Sequence, residues 1–348
     1  MKTMMHSTTY RIGFRGNRLA LFYLIMAALP ALSSCVTHRS TQSSPGHLVF
    51  RSDEYIICKL KNNETPEALA KWFLNNPEKS WIIEDANEGT PFTKGEVIVI
   101  PLKQENKGGV TANGYQTVPV IGYNHFSKKC KQSSCISDQV FDQQMKYLKD
   151  NGYRVIPMSE FLDFLYYRSA IPKRSVVITI DGGHRSAYDI AYPILKKYGL
   201  PATFFVYTDS IGINETALTW DQLKQLKADG FEVGSFAFSN RDLKVKKEKE
   251  DDQAYTAGIK RELLLSKQII DKELSQDIPY LAFPSDEYNQ NLLNICDQAG
   301  YKMAFTMQPG SNPFFSDPLS LKRNMILKED MENFIAQLKT FHKSVGSQ

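Results

Sequence analysis

Residues Ser175–Leu200, SVVITIDGGHRSAYDIAYPILKKYGL, decide the fold. Val176–Ile180 is a run of β-branched residues, the pattern of a strand buried on both faces. It ends in Asp181, Gly182, Gly183 and His184, after which Ala187, Ile190, Ala191 and Ile194 recur at helical spacing. A carboxylate at the C-terminal end of a buried parallel strand stands where α/β barrels keep their chemistry. Outward from this stretch the alternation continues. Strand patterns cover Val118–Tyr123, Arg154–Pro157, Ala202–Tyr207, Phe231–Phe236, Tyr280–Pro284 and Lys302–Thr306. Helical patterns cover Ser137–Asn151, Ser159–Tyr167, Thr219–Asp229, Ala254–Leu274 and Asn289–Ala299, with Thr219 as an N-cap and Gly230 as a stop. A final strand–helix pair places His342 in a terminal helix. Roughly seven strands interleaved with helices predict an α/β domain with a parallel sheet, in keeping with an irregular barrel.

The remainder of the 348 residues leaves room for a smaller module. The net charge of +4, with no compact Lys/Arg stripe interleaved with aromatics, gives no support to a nucleic-acid partner. The run Lys244–Asp252 (KVKKEKEDD) mixes both signs and reads as a solvated loop or helix start. Arg11, Arg15 and Arg18 precede the apolar stretch Leu19–Leu32, too short for a comfortable membrane span, so the N-terminus reads as a signal peptide. Export lets Cys130 and Cys135, in the polar stretch KKCKQSSC, form a local disulfide. Zinc is the alternative, but no second Cys/His pair has matching spacing. Cys58 and Cys296 lie in apolar runs and are expected to be buried.

After Cys35 the Ser/Thr-rich Val36–His47 reads as a tether. Tyr55–Leu60 and Glu96–Pro101 are strand patterns flanking the helical patterns Thr65–Asn75 and Trp81–Ala86, and Gln104–Gly114 is a polar linker. The expected organisation is a signal peptide at 1–34, a tether at 35–50, a small βααβ domain at 51–103, a linker at 104–116 and the α/β domain at 117–348.

Thr179-Ile180-Asp181-Gly182-Gly183 resembles the first signature, T-F-D-D-G, of the polysaccharide deacetylases (carbohydrate esterase family 4). The resemblance runs from Val118 to Phe341, through Tyr192-Pro193-Ile194-Leu195, Pro201-Ala202-Thr203-Phe204-Phe205-Val206, Gly230-Phe231-Glu232-Val233-Gly234-Ser235 and Phe283-Pro284. It implies that family's irregular (β/α)7-type barrel. Two shorter resemblances accompany it. Leu32-Ser33-Ser34-Cys35 looks like a bacterial lipobox, implying a lipid on Cys35 and an exported, lipid-anchored protein of the cell envelope, on the outer membrane where the host has two. An ordinary signal peptide with an incidental cysteine is the alternative. The β-α-α-β stretch is similar to a LysM module, implying contacts to N-acetylglucosamine-containing glycan such as peptidoglycan from Thr65, Pro66, Asn87, Glu88 and Gly89; an accessory domain without ligand is the alternative.

The deacetylase resemblance also implies a chemistry that these residues lack. Family members remove acetyl groups from N-acetyl sugars with a divalent metal held by one Asp and two His, which activates water. The Asp position here is Gly182. In the strand end that matches S-H-T-x-x-H-P, Phe236 and Asn240 hold the two His positions. Asp181 keeps the place of the catalytic base, and Arg323 matches an arginine that orients it. His184, three residues on, is the nearest histidine for a rebuilt site; His125 is displaced by one position from the family's Tyr-His motif. No cofactor is expected unless such a site exists. Metal coordination takes the pKa of water from 15.7 to about 7, on the order of 10 kcal/mol of activation that a lone carboxylate cannot supply. Three functions stay open at this point: a glycan-binding envelope lipoprotein on a catalytically degenerate barrel, with Phe236 and Phe238 filling the metal pocket or stacking on sugar; a working N-deacetylase with an altered site; and a structural envelope partner with no sugar affinity.

Overall fold

Five short elements build the N-terminal unit of the computed structural model, which describes residues 44–103, 106–130, 134–284 and 288–344. The expected signal peptide, Cys35 and most of the expected tether lie outside those residues. The five elements are β1 (Gly46–Arg51), β2 (Tyr55–Leu60), α1 (Pro66–Phe73), α2 (Ser80–Ala86) and β3 (Val97–Pro101), and the strands form an antiparallel sheet in the order β1-β2-β3. Alternation along β2 and β3 turns Ile56, Cys58, Leu60, Ile98 and Ile100 onto Leu69, Ala70 and Ile83 of the helices. Strand β1 departs from the expected tether. Residues 46–51 pair from Gly46 opposite Leu60 to Arg51 opposite Ile56, with a bulge at Val49, because β2 would otherwise leave a full edge of backbone donors and acceptors unpaired.

The chain continues through β4 (Val110–Thr111) and β5 (Gly114–Gln116), two strands inside the expected linker, into β6 (Val118–Tyr123), β7 (His125–Ser127), β8 (Cys135–Ser137) and α3 (Asp138–Asp150). Then come β9 (Arg154–Val155), α4 (Met158–Leu165), β10 (Ser175–Gly182), α5 (Tyr192–Tyr198), β11 (Thr203–Val206), α6 (Trp220–Ala228), β12 (Glu232–Ser235), α7 (Asp252–Leu274) and β13 (Tyr280–Ala282). The series ends with α8 (Gln290–Gln298), β14 (Met303–Phe305), β15 (Ser311–Asn312), β16 (Asn324–Met325), α9 (Met331–Ala336) and β17 (Phe341–Lys343). Local chemistry sets these boundaries. The Thr219 hydroxyl accepts from Gln222 N–H while the Gln222 side chain accepts from Thr219 N–H, a capping box that starts α6. Between β10 and α5, Ala187–Ala191 winds as a π-turn.

Strands β14-β13-β12-β11-β10-β6-β15 are neighbours in one curled sheet, parallel from β14 to β6. Segment 321–326 connects its two ends. Leu321 N–H donates to Ala304 C=O and Thr306 N–H donates to Leu321 C=O, while Asn324 and Met325 pair with Ile121 and Gly122 of β6. One apolar cluster packs the helices on the outer face of the sheet, and a second holds Val120, Val177, Phe205, Phe236 and Phe305 on the inner face.

His342 lies in a strand, contrary to the terminal helix expected from its sequence. β17 pairs antiparallel with β5, and the His342 ring stacks on Tyr115 at 4.8 Å, so a free strand edge and an aromatic partner override the local helical pattern. The N-terminal unit rests against the larger domain through ion pairs. Arg154 bonds Glu84, Lys173 N–H donates to Asp85 at 3.0 Å, and Lys173 Nζ lies 3.4 Å from Glu88.

Asn87 links α2 to β3 inside the N-terminal unit. Its Nδ2 donates to Ile83 and Val99 carbonyls and its Oδ1 accepts from Val99 N–H, in a buried setting. Removing the amide leaves buried backbone groups unpaired, so Asn87→Ala is expected to lower the stability of this unit by roughly 1–3 kcal/mol, read from urea unfolding followed by circular dichroism.

Candidate functional site

Alternation along the strands selects which side chains enter the barrel. On β10, Val176, Ile178 and Ile180 face the outer helices, so Val177, Thr179 and Asp181 face inward. Phe205 and Phe236 share the inner cluster, and Tyr207, two residues past Phe205, packs against it. At the C-terminal mouth of the sheet the inward positions are therefore Asp181, Tyr207 and Phe236 on three neighbouring strands.

Asp181 and Arg323 form an ion pair with neither side chain exposed. Arg323 Nη1 donates to Asp181 Oδ1 at 2.8 Å, and Nε donates to Thr306 C=O at 3.0 Å. The guanidinium also lies over the Phe205 ring, 5.8 Å from its centroid. Asp181 Oδ2 and Arg323 Nη2 have no hydrogen-bond partner among the described residues. Burial pushes the Asp181 carboxyl up, and the Arg323 guanidinium opposes that shift.

The three positions that the resemblance assigns to metal ligands hold no ligand set. Gly182 sits at φ +98°, and a Cβ there would have only Asn124 Oδ1, at 3.8 Å, within 4 Å. An aspartate at 182 would find space but would have to adopt a left-handed backbone. Phe236 is buried, its ring 4.7 Å from that of Tyr207. Asn240 Oδ1 accepts from the Tyr207 hydroxyl at 2.8 Å. Burial, with added repulsion from Asp181 and Asp209, pushes the Tyr207 phenol far above its ordinary value, so it stays a neutral donor. Tyr207 thus joins both substituted positions and feels the charge of Asp181. Sequence reading marked it only as a strand end; its inward position follows from counting two residues beyond Phe205. Phe238, half-buried, is fixed by its backbone, its N–H donating to Glu262 C=O and its C=O accepting from Asp209 N–H.

His184 and His125 meet at the rim with ring centroids 4.2 Å apart in an edge-on arrangement. The main-chain N–H of Ser186 donates to His184 Nδ1 at 3.1 Å, and Ser186 Oγ lies 2.8 Å from the same nitrogen. Nδ1 is therefore an acceptor, and the proton of the neutral ring sits on Nε2. That is the reverse of a metal-bound histidine, whose outer nitrogen donates to its support. Burial lowers the basicity of both imidazoles, and for His184 the neighbouring His125 lowers it further. Among the described residues no three His, Cys, Asp or Glu side chains converge as a metal would require. One carboxylate engaged by Arg323, with two imidazoles facing each other, does not fit an Asp-His-His metal centre.

The candidate glycan contacts in the N-terminal unit divide. Asn87 is buried and bonded to backbone groups, as described, and has no amide hydrogen left for a sugar. Thr65 Oγ1 accepts from Ala68 N–H as the cap of α1, with Pro66 at its first turn. Glu88 is exposed and faces Lys173, and Gly89 is exposed at φ +81°. Cys130 and Cys135 are disulfide-bonded, and Cys58 and Cys296 are free and buried. Cys35 lies outside the described residues.

Residues 168–304 match the family model of the polysaccharide deacetylases. A poly-beta-1,6-N-acetyl-D-glucosamine N-deacetylase of Staphylococcus aureus is 29% identical over 260 residues, covering 70% of this chain and 87% of that protein. The solved structure of a Streptococcus pyogenes deacetylase in complex with acetate superposes with a TM-score of 0.58 at 27% identity, covering 64% of this chain and 98% of that one. The structure of IcaB from Ammonifex degensii, 24% identical, shares the fold at a TM-score of 0.58 over 65% of this chain and 97% of its own.

Two outcomes are expected. Arg323→Met leaves a buried carboxylate without its counter-charge and is expected to cost about 3–5 kcal/mol in urea unfolding, much of it recovered in the Arg323→Met/Asp181→Asn double variant. Each imidazole of the His125–His184 pair takes a proton more readily unfolded than folded. Stability is therefore full above the ordinary histidine range near about 6.5 and is lost as pH falls below it. The melting temperature should drop on acidification through that range, with a shallower drop in a His125→Gln/His184→Gln variant.

Proposed function

We propose that this chain, which carries a polysaccharide deacetylase-like domain, is a cell-envelope lipoprotein that binds N-acetylglucosamine-containing glycan without hydrolysing it. The observation that carries this reading is the Tyr207 contact. Phe236 and Asn240, in the places of two metal-binding histidines, both engage one phenol at the barrel mouth, while Gly182 offers no donor. The carboxylate in the base position is held by Arg323. What the mouth retains is a mixed apolar and amide surface, suited to holding a sugar more than to generating hydroxide. The N-terminal unit, in its LysM-like arrangement, adds a second place for glycan around Thr65, Pro66, Glu88 and Gly89. A lipid on Cys35 accounts for the apolar leader and the polar stretch after it, and places the protein on the membrane surface facing the cell wall.

A second reading is an N-deacetylase with an altered site. It is favoured by the His125–His184 contact at the rim and by relatives named for N-deacetylation. Metal analysis and acetate release on the same purified sample separate the two. The expected result is no stoichiometric divalent metal, no acetate from acetylated chito-oligosaccharide or poly-β-1,6-N-acetylglucosamine, and co-sedimentation with peptidoglycan. Stoichiometric zinc, nickel or cobalt that disappears in His184→Gln, or measurable acetate release, would establish the altered enzyme instead. Failure to co-sediment would remove glycan binding and leave a structural role in the envelope.

A further inference from the structure

A cavity of about 790 Å3 lies between β5, β15, β17 and the loop from Gln308 to Lys322, within the roughly 300–1,000 Å3 typical of small-molecule sites. None of Asp181, His184, Tyr207 or Phe236 lines it, so it is separate from the barrel mouth. One wall is aromatic. Tyr115 meets Phe315 edge-on at 5.1 Å and stacks on His342 at 4.8 Å. Phe315 is 60% exposed and Phe341 41% exposed, so these rings face solvent and do not fill a core. The other wall is polar and incompletely paired. Gln337 lines the cavity, and its Oε1 is buried without any hydrogen-bond partner. Lys322 and Lys339 also line it and take part in no ion pair among the described residues.

We propose that this cavity is a carbohydrate subsite that takes a segment of N-acetylated hexosamine glycan. A pyranose ring has one face of C–H groups and an equatorial girdle of hydroxyls. The first packs on aromatic rings, and the second satisfies polar groups at the edge of the same site. Gln337 Oε1 lacks a donor and is closed off from solvent, so a sugar hydroxyl or an acetamido N–H supplies one only when the side chain turns toward the cavity. Lys322 and Lys339 present ammonium donors to ring and carbonyl oxygens. A purely apolar partner would leave the two ammonium groups buried and unpaired, which disfavours docking of an apolar protein surface at this place. The subsite rests on the glycan-directed reading above only for the choice of sugar; its location comes from the cavity itself. Because β17 pairs with β5, which joins the N-terminal unit to the barrel, the subsite sits where a chain held by one could pass to the other.

Calorimetric titration of the protein with the β-1,4-linked hexamer of N-acetylglucosamine, and with a β-1,6-linked counterpart, tests the subsite. The variants are Phe315→Ala, Phe341→Ala and Gln337→Leu, each with its melting temperature measured alongside. Phe315 and Phe341 are exposed enough for truncation to leave the fold intact. At least tenfold weaker binding in Phe315→Ala/Phe341→Ala, at unchanged melting temperature, is the expected result, with a smaller loss in Gln337→Leu. Binding unchanged in all three variants would overturn the subsite. So would binding lost only in Asn240→Ala at the barrel mouth, which would leave the proposed function standing. No binding of either hexamer by the unaltered protein also overturns the subsite, while peptidoglycan co-sedimentation independently decides the broader glycan reading.

Discussion

The ion pair between Asp181 and Arg323 is the constraint around which the barrel is organised. Two charges without solvent contact are tolerated only when each meets the other in good geometry and the remaining donors find acceptors. Arg323 meets that condition in part: it donates to Asp181 and Thr306 at once, which ties β10 to the loop after β14, while its Nη2 and Asp181 Oδ2 stay unpaired among the described residues. The same arginine belongs to segment 321–326, which bonds Ala304 and Thr306 on one side and β6 on the other. The curl of the sheet and the burial of the pair therefore support each other. Neither survives unchanged if a single partner is lost.

That arrangement has a chemical consequence. The Asp181 carboxylate has one oxygen engaged by a guanidinium and no solvent contact, and its charge is felt by the Tyr207 phenol. Catalysis of amide hydrolysis at a barrel mouth needs an activated water and an open face on which the carbonyl can sit. Here Tyr207, Phe236 and Asn240 occupy one another, and His184 turns its acceptor nitrogen to Ser186. At the mouth Asn240 stays exposed while Phe236 is buried, and rings and ammonium groups line the separate cavity beside β5 and β17.

The N-terminal unit is fastened to the larger domain by charges on α2 and the loop after it. Glu84, Asp85 and Glu88 face Arg154 of β9 and Lys173 of the connection from α4 to β10. Such partly exposed pairs contribute little each, but several together fix an orientation. Two short strands in the expected linker, joined by the C-terminal strand, contribute to the same fixity.

Much of the fold was legible in the sequence because strands and helices report themselves through local periodicity. Tyr55–Leu60 and Val118–Tyr123 are strands with the expected boundaries, and Thr219 caps its helix through the hydroxyl that a cap requires. The absence of ligand-type residues at Gly182, Phe236 and Asn240 was equally plain, since it depends only on residue identity. Elements whose existence depends on a distant partner were not legible. β1 forms because β2 has a free edge, and His342 enters a strand because β5 lies beside it. The role of Asn87 was hidden for the same reason: its amide is consumed by Val99, twelve residues away. Tyr207 became part of the site only when β10, β11 and β12 were placed side by side. By itself the sequence determined the class of domain and the absence of His, Asp or Glu at Gly182, Phe236 and Asn240, both encoded in residue type and spacing. Only the tertiary structure decided what Phe236 and Asn240 touch, where Asp181 directs its charge and which polar groups remain unpaired, because those depend on contacts between residues far apart along the chain.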